Sequence, residues 1–144
     1  MSTILPLSEV VLITPLRSLD ELIDPVLVTR ASRLHARRSR EIVAHVAQEE
    51  AAFLSYDDWS DRGVGYVLEI FVLPRFRHHG LATRLLDGAE SLALELGCKH
   101  IRLKAHSLDD DTDQAQLEAW YRRLGYRKSR SAQEWLEKSV AFAK

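Results

Sequence analysis

Glu69-Ile70-Phe71-Val72-Leu73-Pro74-Arg75-Phe76-Arg77-His78-His79-Gly80-Leu81-Ala82-Thr83-Arg84-Leu85-Leu86 decides how the rest of the chain is read. Its first part continues a run of aliphatic and aromatic residues over positions 66–73, whose near-continuous apolarity suits a strand covered on both faces. Pro74 brings no N–H to a ladder and ends that strand. An R-x-x-G-x-A turn follows, from Arg77 to Ala82. Behind it Leu81, Leu85, Ala89, Leu92, Ala93 and Leu96 recur at spacings of three and four, one face of a helix. Gly97 stands where a C′ glycine should. Gly88, inside that helix, costs about 1 kcal/mol relative to alanine and predicts close packing on a strand.

The chemistry such a turn offers is anion binding. Amides at a helix start have no intrahelical acceptor and carry the positive end of the helix dipole, so a phosphate can lie against them. Gly80 and Ala82 let the backbone come close to the ligand. His78 and His79 are adjacent on the turn and do not readily face one point, so they are read as N–H donors to phosphate and not as a metal pair. No lysine follows in the G-K-[ST] position, which excludes a nucleoside-triphosphate P-loop, and G-x-G-x-x-G is absent.

Outward toward the N-terminus, residues 10–13 read as a strand closed by Thr14-Pro15. Ser18 and Glu21 form a capping box for a short helix, and Asp24-Pro25 caps a second one. This second helix carries Val28, Ala31, Leu34 and His35 on one face and Arg30, Arg33, Arg37 and Arg40 on another. The arginine stripe is either a solvated face or a surface for an acidic acceptor or nucleic acid. Strands over 41–48 and 51–56 follow, with Glu49-Glu50 at their turn and His45 as a structural residue. A polar loop over 57–63 carries Trp59.

Outward toward the C-terminus, residues 99–105 read as a strand entered through Cys98, a small hydrophobe with no histidine placed to activate it. The acidic turn over 109–113 lacks the spacing of a calcium loop and suits a helix start. A helix from about Asp113 carries Leu117, Trp120, Tyr121 and Leu124 and ends at Gly125. Residues 126–129 and 134–140 make two closing strands.

At 144 residues the chain is expected to form one domain, 1–144, with a real core. A formal charge of −1 argues against a general nucleic-acid binder. No apolar run approaches the roughly 20 residues of a membrane span, and the start lacks a charged-then-apolar leader. The single cysteine excludes an intrachain disulfide, and a cytoplasmic location is the expectation.

Two stretches together, Val72-Leu73-Pro74 with Arg77 to Ala82, and Ala119-Trp120-Tyr121-Arg122-Arg123-Leu124-Gly125-Tyr126, resemble the signatures of the GNAT superfamily of N-acetyltransferases. The resemblance implies an α/β fold. Its mixed sheet has helices on both faces and is splayed between two central parallel strands, so that a thioester cofactor's pantetheine arm enters like a strand. It further implies acetyl-coenzyme A as acyl donor and no metal. The pyrophosphate would lie on the amides of Arg77, His78, His79, Gly80, Leu81, Ala82 and Thr83, and the pantetheine along the backbone near Phe71 and Val72.

Gln114 stands where the family often has an asparagine facing the pantetheine, which puts that contact in doubt. Tyr121 matches the family's general acid. A phenol with a reference pKa of about 10 stays protonated at neutral pH and can hydrogen-bond a departing thiolate, while the plain alternative is a core tyrosine. Tyr126 takes the trailing packing position. Glu69 is the candidate base, directly or through water, against the alternative of a carboxylate paired with an arginine or exposed at the cleft wall. Trp59 either walls the acceptor site or anchors a loop.

The implied reaction is acetyl transfer to a primary amine of a small molecule or peptide by direct attack on the thioester. A homodimer is common in such proteins. Two other readings stay open: a non-catalytic acyl-CoA-binding module, and a nucleic-acid interaction protein using the arginine stripe.

Overall fold

The computed structural model describes residues 11–104, 113–131 and 134–140. Seven strands form one mixed sheet: β1 Val11–Pro15, β2 Ser39–Val46, β3 Glu49–Trp59, β4 Val64–Val72, β5 His100–Leu103, β6 Arg127–Lys128 and β7 Leu136–Ser139, in the order β1-β2-β3-β4-β5-β7-β6. Among the described residues only β4 and β5 run parallel, as a crossover through a helix requires. Three helices pack on it: α1 Pro25–Leu34, α2 Leu81–Glu95 and α3 Gln114–Arg123.

The local signals explain the helices. Asp24 accepts from the amides of Val26 and Leu27 ahead of Pro25, and Ser18 closes its capping box over a 3-10 turn, Leu19–Glu21. Both α2 and α3 end in the same glycine motif. Gly97 has φ +83 while Cys98 N–H bonds Ala93 C=O and Gly97 N–H bonds Leu94 C=O. Gly125 repeats the pattern, with Tyr126 N–H on Tyr121 C=O. A Cβ on Gly88 would come within 3.2 Å of Ile13 Cγ2, so α2 lies close on the first strands, as the missing side chain predicts.

The sheet separates two cores. On one face α1 covers Val43, Phe53, Phe71 and Leu73 with Leu27 and Ala31. On the other, Leu81, Leu85, Leu86, Ala89 and Ala93 of α2 and Leu117 and Tyr121 of α3 cover Ile42, Ala44, Leu54, Val67, Ile70 and Val72. The α/β fold with a mixed sheet and helices on both faces is therefore what the chain adopts.

Several boundaries differ from the sequence reading. The β2–β3 turn is Ala47-Gln48, both at positive φ, and not Glu49-Glu50. Such a two-residue turn is normally announced by Asn-Gly, which this chain lacks. Glu50 instead turns its carboxylate to the amides of Ile23 and Asp24. Positions 57–59, expected as loop, continue β3 and pair with Val64–Tyr66, and a short 3-10 turn at Ser60–Arg62 makes the connection. Val10, Ala105 and most of the acidic turn lie outside the described residues. Asp113 stands at the start of α3 without a side-chain capping bond. Among the described residues no helix is long and apolar enough to cross a membrane.

Candidate active site

The site is made where β4 and β5 part. Their ladder joins Val64–Val67 to His100–Leu103 and stops. At that level β4 carries an extra residue: Ser55 faces Glu69 but Tyr56 faces Val67, so Leu68 is bulged out of the β3 pairing. A bulge bends its strand and increases its twist. Beyond it Leu73 N–H bonds Ala51 C=O, which by alternation turns the amides of Glu69, Phe71 and Leu73 toward β3 and those of Ile70 and Val72 toward the gap. Val67, Leu68, Glu69, Ile70, Leu103, Lys104 and Tyr121 line the notch.

Past the notch the gap opens into a groove of about 350 Å³ lined by Val72, Phe76, Arg77, His78, Gly80, Leu81, Ala82, Thr83, Gln116, Leu117 and Trp120. Gly80 sits at φ +78 as the residue before α2 and has no side chain to cap it. The first helical bond is Arg84 N–H to Gly80 C=O, so the amides of Leu81, Ala82 and Thr83 precede the ladder. A Cβ at Gly80 would meet nothing within 4 Å, so the glycine serves the backbone conformation. His78 is also at positive φ, 66°, a left-handed conformation uncommon outside glycine. Arg77 does not face outward as a free cation. Its Nε donates to Val72 C=O at 3.0 Å and ties the turn to the end of β4.

The sequence-predicted residues are thus partly gathered. Val72, Arg77, His78, Gly80, Leu81, Ala82 and Thr83 share the groove. His79 is exposed and outside the lining, and Phe71 turns its ring onto the α1 face beneath the Arg30 guanidinium, 3.9 Å from its centroid. Gln114, the first residue of α3, is not in the lining either. Gln116, two residues on, is, together with Trp120. Sequence reasoning missed both; Trp120 precedes the tyrosine of the late motif and was the available signal.

Tyr121 and Glu69 reach the notch from opposite faces of the sheet. Tyr121 belongs to the α2/α3 core, 3 % exposed, its ring against Trp120 at 4.8 Å and Tyr126 at 5.9 Å. Burial pushes its hydroxyl up to about 12, so it is a proton-bearing donor at neutral pH. Tyr126 is likewise pushed up, by burial and by Glu90, whose carboxylate accepts its O–H at 2.8 Å. It is a packing residue. Glu69 is ion-paired with Arg30 of α1, which is the paired-carboxylate alternative.

The arginine stripe does not form. Helix α1 ends at Leu34, and Arg30 pairs with Glu69, Arg40 with Asp58 at 3.6 Å from within β2. Arg33 and Arg37 stay exposed, Arg33 on α1 and Arg37 beyond its end, so the four arginines do not share one helix face. Trp59 lies under Arg38, ring centroid to guanidinium 3.8 Å, and its indole N–H points to Asp57, the arrangement of an anchor. Cys98 is buried and its thiol is pushed up by that burial. Among the described residues no group of His, Cys, Asp and Glu could hold a metal ion.

Comparison with known proteins agrees with this geometry. The family model described as acetyltransferase (GNAT) family matches residues 14–126. The mouse (Mus musculus) thialysine N-epsilon-acetyltransferase is 30% identical over 84 residues, 58% of this chain and 46% of the relative. The chain spans about half the length of the curated relatives it matches. Among solved structures, the ribosomal-protein-S18-alanine N-acetyltransferase of Escherichia coli superposes with a TM-score of 0.67 at 17% identity, covering 93% of this chain and 96% of that one. A GNAT family acetyltransferase from Elizabethkingia anophelis with acetyl-CoA bound gives 0.65 at 14% identity, covering 90% and 97%.

Proposed function

This chain belongs to the acetyltransferase (GNAT) family, and from that premise we propose that it transfers an acetyl group from acetyl-coenzyme A to a primary amine of a small molecule or peptide. The single observation that carries the reading is the parting of β4 from β5 above Val67 and Leu103, continuous with the uncapped start of α2. An arm of extended shape with amide groups fits beside the outward amides of Ile70 and Val72, and its diphosphate fits the amides of Leu81 to Thr83.

Bound there, acetyl-coenzyme A supplies an activated acetyl thioester. The chain's own residues do the rest. Amides at the β4 edge hold and polarise a carbonyl in a fixed geometry, which is the largest contribution such a site makes. The Tyr121 hydroxyl, still protonated at neutral pH, donates to a sulfur leaving through the notch. Glu69, at the opposite lip, is the base in this reading, with the amine arriving on its side of the notch. Gln116 and Trp120 wall the groove on the α3 side of the sheet.

The test is calorimetric titration with coenzyme A, followed by thiol release from acetyl-coenzyme A over a panel of amines that includes thialysine, lysine-terminated peptides, aliphatic amines and an N-terminal alanine peptide. Coenzyme A heat with thiol release from at least one amine is the expected result. Heat without thiol release from any amine would leave a binding module in place of an enzyme, and absence of heat would overturn the reading altogether. Sedimentation at the assay concentration decides whether a homodimer carries the activity.

A further inference from the structure

Helix α1 packs on the apolar side chains of β2, β3 and β4 and on none from β5 or β7. Val67 and Leu103 point into the α2/α3 core, so by alternation Tyr66, Arg102 and Lys104 point to the α1 side of the sheet. The Tyr66 and Trp135 rings meet edge-on at 4.9 Å, and Lys104 Nζ lies 4.9 Å from the Trp135 centroid. One step beyond the Val67–Leu103 pair, Lys104 stands across the gap from the Leu68 bulge and Glu69, and all three line the notch.

The charges there do not cancel. Arg30 reaches Glu69 from α1, donating from Nη1 to Oε2. Among the described residues Nε and Nη2 of Arg30, Oε1 of Glu69 and the Lys104 ammonium have no hydrogen-bond or ion-pair partner. Arg102, next on the same face, is by contrast taken up by Glu137 at 2.7 Å and Ser131 at 3.1 Å. One carboxylate is thus flanked by two cations, Arg30 on the α1 side and Lys104 on the β5 side, which leaves one positive charge in excess. Each cation rests on an aromatic ring, Arg30 on Phe71 at 3.9 Å and Lys104 on Trp135, and each keeps contact with solvent.

We propose that the acceptor is an α-amino acid, held as a zwitterion with its amino group on Glu69 and its carboxylate on Arg30 and Lys104. The inference rests on the acetyl-transfer reading above. An Arg–Glu pair is a dipole, and a zwitterion docks beside it head to tail, so that each charge faces its opposite and the existing pair stays intact. The open edge of the guanidinium suits a carboxylate, which accepts two parallel N–H bonds from arginine. Lys104 adds the charge that only an anion-bearing ligand neutralises. Because Arg30 and Glu69 are in contact, the two groups they hold sit close together in the acceptor, as they do on one α-carbon. A polyamine, or a peptide N-terminus with its carboxyl in amide linkage, brings an ammonium with no neighbouring anion and meets two cations, so the same charges that select the amino acid reject these.

The test gives the chain acetyl-coenzyme A with free L-alanine, L-leucine, L-phenylalanine, L-lysine and L-glutamate, each beside its α-carboxamide, and with spermidine and an N-terminal alanine peptide. Thiol release yields kcat/KM for each. At least one free amino acid is expected to exceed its amide by about tenfold or more, the scale of a hydrogen bond between charged groups. Amine availability works the other way, because a neighbouring carboxylate favours the protonated amine and the amide offers more of the neutral form. Lys104→Ala, at an exposed position, and Arg30→Ala each bring that ratio down by about fivefold or more, by loss on the free acid with the amide held within about twofold. A merely structural role, or a displaced Glu69, would slow acid and amide alike. A ratio below about tenfold for every pair, a preference for spermidine or the peptide over every free amino acid, or a ratio that survives in either variant overturns the proposal, and thiol release from any of these amines leaves the acetyl-transfer reading standing. If the wild-type chain releases no thiol from any amine, that reading and the amino-acid acceptor fall together.

Discussion

From Val64 to Val67 strand β4 has a neighbour on both edges; from Leu68 to Val72 it has one. The two segments are similar in composition and burial, and both contribute to the core under α2. What differs is the local device at each level. In the closed segment Gly65 has no side chain because Tyr56 lies across it: a Cβ there would stand 1.9 Å from the tyrosine oxygen. In the open segment Leu68 is bulged, Tyr121 rises from α3 into the gap, and Arg77 occupies the last carbonyl, that of Val72. A strand that is closed below and held apart above gives a binding edge without giving up its place in the sheet.

The comparison can be broken from either side. Gly65→Ala attacks the closed segment, and since Tyr56 is fully buried and cannot move aside, about 3 kcal/mol of stability is expected to be lost, read as a drop in the urea midpoint. Tyr121→Phe attacks the open one: about a 100-fold fall in kcat at neutral pH with coenzyme A affinity unchanged, and an unaltered kcat would return Tyr121 to the role of a core residue. Arg77→Ala removes the bond that ties the turn to Val72, and a loss of about 1–2 kcal/mol is expected, with weaker coenzyme A binding in the same variant.

The last effect appears only in alkali. Tyr121 is pushed from 10 up to about 12, so between those values the unfolded chain gives up a proton that the folded chain keeps. Stability contributed below pH 10 is then lost at about 1.4 kcal/mol per pH unit for each such tyrosine. Tyr56 and Tyr126 are pushed up as well, by burial first, and steepen the fall. Tyr121→Phe should flatten the denaturation profile above pH 10 by one proton, and a profile parallel to wild type would contradict the burial-driven shift.

What could be read from the chain was whatever local chemistry dictates. Pro74, Gly97, Gly125, Asp24-Pro25 and the Ser18 capping box each act within a few residues, and each does in the structure what its type predicts. Readings that depended on distant partners fared less well. Ala47-Gln48 turns without Asn or Gly because the flanking strands impose the register. Asp57 and Asp58 look like loop residues, yet they lie in β3 because Gly65 and Tyr66 are there to pair with. The arginine stripe assumed that α1 runs on past Leu34, and no glycine or proline marks its stop. At the candidate site the turn was legible, while the partner of Glu69 was not: Arg30 is 39 residues away and meets it only because α1 folds over β4. Gln114 was singled out by its place in the family motif, whereas the glutamine that lines the groove is Gln116, which depends on how α3 is set against the sheet.

The order of pairing in the sheet also sets an order in time. Strands β2 and β3 close across Ala47-Gln48, and β3 and β4 across a single 3-10 turn, so this meander can assemble as soon as it leaves the ribosome. The β4–β5 ladder must wait for the whole of α2, a longer loop with a larger closure entropy. The ligand edge therefore forms after the meander, and pulse-labelled hydrogen exchange should find the amides of Ala44 and Phe53 protected before that of Ile101. A nascent chain stalled before β5 would present the full length of β4 as a naked edge, the stage at which this protein is most exposed to mispairing.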